Sequence, residues 1–262
     1  MIGSNHGTFI SRTRCAGLVI PVIFLFGWEL GARLQWITSL FLPAPSRILQ
    51  SEYDLFIQHG IMRHVWSSVS LVMSGFALGA LTGFASGVIC GVARTAERLF
   101  SPLLTSLRQV PPIAWLPVIA FAIGYEDSGK LFFIALTVFF PVFVNTLHGI
   151  AHVSQDYVEA ARSYGFNRWQ IFSRVILPSA LPTMFTGIRY GAGMSWGMIL
   201  AAEMISGRKG LGYLLSRRQE LLVVDESLAI LMVIGCMGFL IDFSISSIER
   251  RMTRWNRQVQ KG

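Results

Sequence analysis

Charged side chains are scarce in this sequence. Asp, Glu, Lys and Arg make up 14% of its 262 residues, where a soluble domain carries about a quarter. Acidic residues are the scarcer sign, 14 against 22 Lys and Arg. Cysteine is rarer still. Cys15, Cys90 and Cys236 are odd in number and lack C-x-x-C spacing, which excludes a disulfide framework and a cysteine zinc site. All three lie in or beside apolar runs and read as small apolar side chains. No G-x-x-x-x-G-K-[ST] stretch occurs, so the chain is not itself a P-loop ATPase. No basic–aromatic module for nucleic acid is present, and basic loops at a membrane face account for the net charge of +8.

What remains is apolar. Hydrophobic residues reach 53% and the mean hydropathy is +0.55. Val65–Ala93, Leu131–Gln155 and Val175–Ile188 contain no charged residue. About 20 apolar residues suffice to span a bilayer, so the expectation is an all-α integral membrane protein with a single domain over 1–262. Six spans are expected at about 15–37, 65–93, 102–124, 131–150, 180–205 and 227–248. The apolar run after Arg12 and Arg14 lacks an A-x-A site, so it reads as a retained first span rather than a signal peptide. Glu29 and Arg33 stand four apart and are expected to pair. Residues 46–60 form an amphipathic connection, with Leu49, Tyr53, Phe56 and Ile57 on one face. Gly75, Gly79, Gly83, Gly87 and Gly91 lay a small-residue stripe along span two, which implies close packing against another helix. Span three carries Pro111, Pro112 and Pro117, whose freed carbonyls suit a helix that lines a route through the membrane.

Six spans put both termini on one side. The segments 1–14, 93–108, 151–182 and 249–262 hold thirteen Lys and Arg, the other connections eight, with Arg189 inside span five left out. The richer set belongs in the cytoplasm, and with it both termini. The most polar stretch of the middle chain, Tyr157–Pro178, is therefore a cytoplasmic insert within the loop 151–178. Gln155–Tyr164 reads as a short helix, with Val158, Ala161 and Tyr164 on one face and Glu159 beside Arg162 on another. Gly165 stops it, and Asn167 with Gln170 resembles a capping box opening a second helix. Pro178 sits at the join to span five. Ala160 and Ala161 offer a low surface, and Phe166 and Trp169 aromatic anchors, for a partner.

The spacing Glu159-Ala160-Ala161, Gly165, then Val175-Ile176-Leu177-Pro178 resembles the signature loop of ABC-importer permeases, E-A-A-x3-G-x9-I-x-L-P, with Val replacing Ile at 175. The six-span layout is similar to the type I importer permease. Within that family, LPAPSRIL, SGFALGALTG, LRQVPPIAWLPV, FFPVFVNTLHGI and AAEMISGRKGLGYL resemble the permeases for sulfonates, taurine and nitrate, the sulfonate branch nearest; thiamine-precursor and bicarbonate permeases share much of the pattern. The resemblance implies a permease in the bacterial inner membrane, surrounded by lipid and paired with a second copy of the chain. It also implies two ABC ATPase subunits that carry ATP and Mg, and an extracytoplasmic solute-binding protein. The chain itself would bind no cofactor or metal. Tyr157, Glu159, Ala160, Ala161, Gly165, Phe166, Trp169, Leu177 and Pro178 would form the ATPase-coupling segment.

Candidates for the solute path are Gln109, Pro111, Trp115 and Asn145 on the proline-bearing spans, with Arg189, Met194, Ser195 and Trp196 on span five. Arg189 and the Asn and Trp N–H donors suit an anion. Glu203 and Asp242 read as carboxylates that pair with Lys, Arg or backbone donors. Two other classes fit the sequence less well. An intramembrane serine enzyme would use Ser195, but Trp196 follows it and span six has no histidine. His148 and His152 lack a third metal ligand. A motor-free secondary transporter has no use for the signature loop, and no inverted repeat is visible.

Overall fold

The structure is a computed structural model that describes residues 6–36, 38, 42–57 and 60–253, the side chains of residues 6–18 and of Ser206 excepted. Its described residues form helices and turns: α1 (His6–Arg33), α2 (Pro45–Ile57), α3 (Ile61–Val92), α4 (Arg94–Leu107), α5 (Pro112–Ile123), α6 (Asp127–Ala151), α7 (Gln155–Ser163), α8 (Arg168–Ile171), a π-helical turn Phe172–Ile176, α9 (Leu177–Ser206), α10 (Leu211–Glu220) and α11 (Val224–Met252). The chain divides into two compact units, one of residues 1–61 with 215–233 and the other of 62–214 with 234–262.

In the first unit, the Glu29 carboxylate accepts from Arg33 Nε at 2.6 Å, so the expected pair forms. It also accepts the Ser46 N–H at 3.0 Å and the Ser46 hydroxyl at 2.7 Å. A carboxylate at the N-terminus of α2 meets the positive end of the helix dipole. Ile48, Ser51 and Leu55 of α2 are buried. Leu49, Tyr53, Phe56 and Ile57, the face expected from sequence, are exposed on the outside of the same helix. Arg47 pairs with Asp225 at 3.4 Å, and Arg218 with Glu226 at 2.8 Å.

The second unit is built around α6, thirteen of whose 25 residues are buried. The glycine stripe of α3 packs against it along its whole length. A Cβ added at Gly75 would stand 2.7 Å from Ile134 Cβ, at Gly87 2.6 Å from Thr146 Cβ, and at Gly91 2.9 Å from Ile150 Cβ. On another side α9 closes on α6 with its own glycines: a Cβ at Gly187 would lie 2.6 Å from Asn145 Cβ. Small residues let backbones approach closely, and dispersion contacts then hold helices together where lipid removes most of the hydrophobic drive.

Four helices are long and apolar enough to cross a membrane: α3, α6, α11 and the continuous helix Arg168–Ile205. A fifth crossing arises if α4 and α5 count as one span. The six-span expectation is therefore not met among the described residues; the first expected span, 15–37, falls partly outside them. The third expected span, 102–124, is not one helix. It breaks between Leu107 and Pro112, and α4 and α5 meet at 96°. Neither Pro111 nor Pro112 has an N–H to continue a helix, and each proline pushes the residue before it into extended backbone. Pro111 accordingly has φ −53° and ψ 133°. Between the fifth and sixth expected spans, 180–205 and 227–248, the chain forms α10, with Leu211, Leu214 and Leu215 buried.

Candidate functional site

A cavity of about 310 Å³ opens beside the α4–α5 break. Arg108, Val110, Pro112 and Trp115 line it from the break and α5, Thr137, Phe140, Pro141 and Asn145 from α6, and Tyr190 and Met194 from α9. Non-helical backbone at membrane depth is tolerated where it faces protein or lines a cavity, and Val110 meets that condition. Pro141 supplies no N–H to the Thr137 carbonyl one turn earlier, which leaves an acceptor in the α6 wall. The Asn145 side chain spends its amide on Pro141 O at 2.8 Å, leaving its carbonyl oxygen. The Trp115 indole nitrogen is buried without an acceptor. No ion pair engages Arg108 among the described residues. Aromatic walls, the Tyr190 hydroxyl and an uncompensated guanidinium suit a small solute with an anionic head.

Trp115, Asn145 and Met194 are thus brought together around one cavity. Gln109 and Pro111 stand at the break but outside the lining, while their neighbours Val110 and Pro112 are in it. Ser195 is fully buried and donates to Ala192 O at 2.8 Å. Trp196 is buried and donates its indole N–H to Ile234 O at 3.1 Å. Both side chains serve helix packing, one or two positions away from Met194 on a helix that turns about 100° per residue. Arg189 lines a second hollow with Asp242 and Glu249. Asp242 holds it through two contacts, 2.8 and 3.0 Å long, so its charge is compensated. Arg108, absent from the sequence candidates, is the cation that lines the cavity; its place three residues before the Pro-Pro pair was the available signal.

The segment 151–178 is a helical hairpin with its own small core. Val158, Ala161 and Ile171 are buried together, and Val153, Phe166, Val175 and Ile176 pack on them. Helix α7 ends in a Schellman motif: the Phe166 N–H donates to Ala161 O at 3.1 Å and the Gly165 N–H to Arg162 O at 2.9 Å. Gly165 takes φ +78°, the left-handed conformation this motif needs. The capping box forms in full, with Gln170 N–H to Asn167 Oδ1 at 2.8 Å and Asn167 N–H to Gln170 Oε1 at 2.9 Å. Tyr157, Glu159, Ala160, Tyr164 and Trp169 point outward. Ala161 and Phe166, expected on the partner surface, are turned into the hairpin's core, and Tyr164, expected with the packed face, is exposed. Glu159 and Arg162 form no ion pair among the described residues. Leu177 and Pro178 sit within one continuous helix rather than at a join. The missing N–H of Pro178 falls beside the π turn at 172–176, where the hydrogen-bond register shifts without a break.

At the opposite end of α9, Glu203 is 1% exposed. It accepts the Ser68 hydroxyl at 2.8 and 2.9 Å and the Gly212 N–H at 2.9 Å. Ser68 in turn accepts the Leu211 N–H at 2.9 Å, and the Gly210 N–H donates to His64 Nδ1 at 3.1 Å. The turn 207–212 is thereby fixed to the start of α3.

Long apolar helices packed around a half-buried cavity define a multi-pass membrane protein. The chain belongs to the binding-protein-dependent transport system inner membrane component family, which matches residues 61–255. It is 34% identical over 256 residues, 96% of its length and 93% of the relative's, to the taurine transport system permease protein TauC of Escherichia coli (strain K12). It is 34% identical to the putative aliphatic sulfonates transport permease protein SsuC of the same strain, over 93% of this chain and 92% of that one. The nitrate import permease protein NrtB of Synechocystis is 31% identical over 79% of each chain. In fold, the chain is similar to a structure titled as inward-facing conformations of the MetNI methionine ABC transporter, with TM-score 0.64 and 18% identity over 75% of this chain and 98% of that one. The chain is an ABC importer permease, a translocation subunit and not an enzyme, of a family that works with an ATPase and a solute-binding protein.

Proposed function

We propose that this permease imports a small organic anion, an aliphatic sulfonate or taurine, through a path that includes the Arg108–Trp115–Asn145 cavity. The observation that carries the reading is the 34% identity to the taurine permease across 96% of the chain. The cavity supports it through chemistry: a guanidinium answers a sulfonate, and Phe140 and Trp115 answer the carbon chain. Nitrate is the second reading, favoured by the 31% identity to a nitrate permease. A bicarbonate or thiamine-precursor importer of the same architecture is more distant.

Two copies of the chain form the path, and two ATPase subunits bearing ATP and Mg seat the hairpin 151–178 on the cytoplasmic side. The signature spacing and the outward Tyr157, Glu159, Ala160, Tyr164 and Trp169 support that docking. The continuous helix Arg168–Ile205 is about 57 Å long at 1.5 Å per residue, against a hydrocarbon core of about 30 Å. It projects well beyond the bilayer and carries the hairpin's motion into the membrane as a rigid lever. ATPase closure then rocks the helices between inward- and outward-open states. The test is ATP-dependent uptake into proteoliposomes holding the permease, its ATPase and its binding protein. Taurine and an alkanesulfonate are expected to enter and to compete with each other. Uptake of nitrate or a thiamine precursor alone would overturn the solute assignment, and uptake without ATP would overturn the importer mechanism.

A further inference from the structure

We propose that α4 lies in the membrane interface and that Arg94 and Arg98 hold anionic phospholipid headgroups; this rests on the permease reading above. Helix α4 was expected to begin a span, and its geometry argues otherwise. It meets α5 at 96°, and α5 packs against α6, so α4 does not continue the line of the helix that follows it into the bundle. At 3.6 residues per turn its apolar residues Ala96, Leu99, Phe100, Leu103, Leu104 and Leu107 fall within an arc of about 140°. Arg94, Arg98, Ser101 and Thr105 share the opposite side.

The burial pattern divides that apolar arc. Ala96 and Leu104 pack against Cys90, Phe143 and Leu147. Leu99, Phe100 and Leu103 are exposed, and no α4 residue is fully buried. Part of the apolar arc of α4 thus grips the bundle, and the rest is bare in a protein whose surroundings are lipid. A helix with a charged upper face and an apolar base settles in the interface with the base among the acyl chains. Arg94 and Arg98 are exposed, one turn apart, and form no ion pair among the described residues. Two uncompensated guanidinium groups at headgroup level match phospholipid phosphates. The interfacial helix then fixes the height of Arg108, which caps α4 and faces the cavity.

The test uses the full-length permease in nanodiscs of phosphatidylcholine with and without phosphatidylglycerol. Nitroxide labels at L99C and L103C are expected to be reached by oxygen more than by a polar nickel chelate, and a label at T95C the reverse. A label at F239C, on the exposed apolar face of α11, reports the bilayer itself. Native mass spectrometry is expected to show phosphatidylglycerol retained by the wild type and by R94K/R98K, and weakened about fivefold for each arginine removed in R94Q/R98Q. Oxygen access at 239 but not at 99 and 103, or close spin–spin contact between copies at 99 and 103, would overturn the proposal and leave the permease reading standing. Unchanged phosphatidylglycerol retention in R94Q/R98Q would overturn the headgroup assignment. Nickel access at 239 would strike the membrane reading itself.

Discussion

Arg189 on α9 and Asp242 on α11 meet through two contacts, Nε to Oδ1 at 2.8 Å and a terminal nitrogen to Oδ2 at 3.0 Å. Glu249, two turns further along α11, stands 3.9 Å from the same guanidinium. One cation therefore serves two carboxylates inside a membrane helix pair. Removing the cation leaves two like charges together, whereas removing Asp242 leaves Arg189 beside Glu249. R189Q is expected to lower the unfolding midpoint of the purified permease more than D242N, and R189Q/D242N to lose less than the sum of the singles. The solute KM is expected to stay at the wild-type value in D242N. Additive midpoints would show that the pair carries no coupling.

The α3–α6 contact makes a sharper prediction because it contains its own control. G87A forces a methyl group to within 2.6 Å of Thr146 Cβ, and overpacking of this kind costs about 1–3 kcal/mol. Gly197 of α9 has nothing within 4 Å of an added Cβ. G197A is expected to be neutral or to stabilise by up to about 1 kcal/mol, through better helix propensity alone. Thermal unfolding in one detergent compares the two. Equal stabilisation by both would mean that helix propensity, not packing, governs these glycines.

These helices also show how far the sequence reaches. The stripe was legible because glycine every four residues marks one helix face, but its partner was not: Ile134, Thr146 and Ile150 carry no signature of their own. Pro111-Pro112 announced a kink, and the 96° turn depends on the packing of α5 along α6. The hairpin was legible in detail because caps and left-handed turns are local chemistry. Which of its side chains face inward was not, since Ala160 and Ala161 are identical in type and only the core with Ile171 separates them. Met194, Ser195 and Trp196 likewise differ only in rotation about α9, a helix too uniformly apolar to announce its phase.

The clamp at Glu203 predicts that loss of the carboxylate is felt in the turn it holds. E203A leaves the Ser68 hydroxyl and the Gly212 N–H unpaired, at about 1–3 kcal/mol for each buried group. Amide exchange across 207–212 is expected to quicken in E203A and S68A. G210A should be as harmful, because Gly210 has φ +108° and an added Cβ would strike the Glu203 carboxylate. Exchange unchanged in all three would show that the turn is held by other contacts.

Ala160 and Ala161 separate docking from folding in the hairpin. Ala160 is exposed and Ala161 is 6% exposed. A160R is expected to keep α7 and its protection from proteolysis while losing the ATPase in pull-down assays. A161R is expected to lose both, because its charge enters the core with Val158 and Ile171. G165A adds a milder case: a left-handed alanine costs about 1–2 kcal/mol, so the hairpin frays and ATPase capture weakens. Full capture by A160R would move the docking surface elsewhere.

Arg108 decides whether the cavity is the anion's station. It lines the cavity and forms no ion pair among the described residues, whereas Arg189, the cation first expected there, is held by Asp242. A hydrogen bond to a charged partner contributes about 1.5–3 kcal/mol, so R108Q is expected to raise the KM for a sulfonate about ten- to a hundredfold in proteoliposomes. R108K keeps the charge without the planar fork and is expected to fall between. ATPase capture should not change, since Arg108 lies outside the hairpin. A wild-type KM in R108Q would remove the cavity from the path, because no other cation lines it among the described residues.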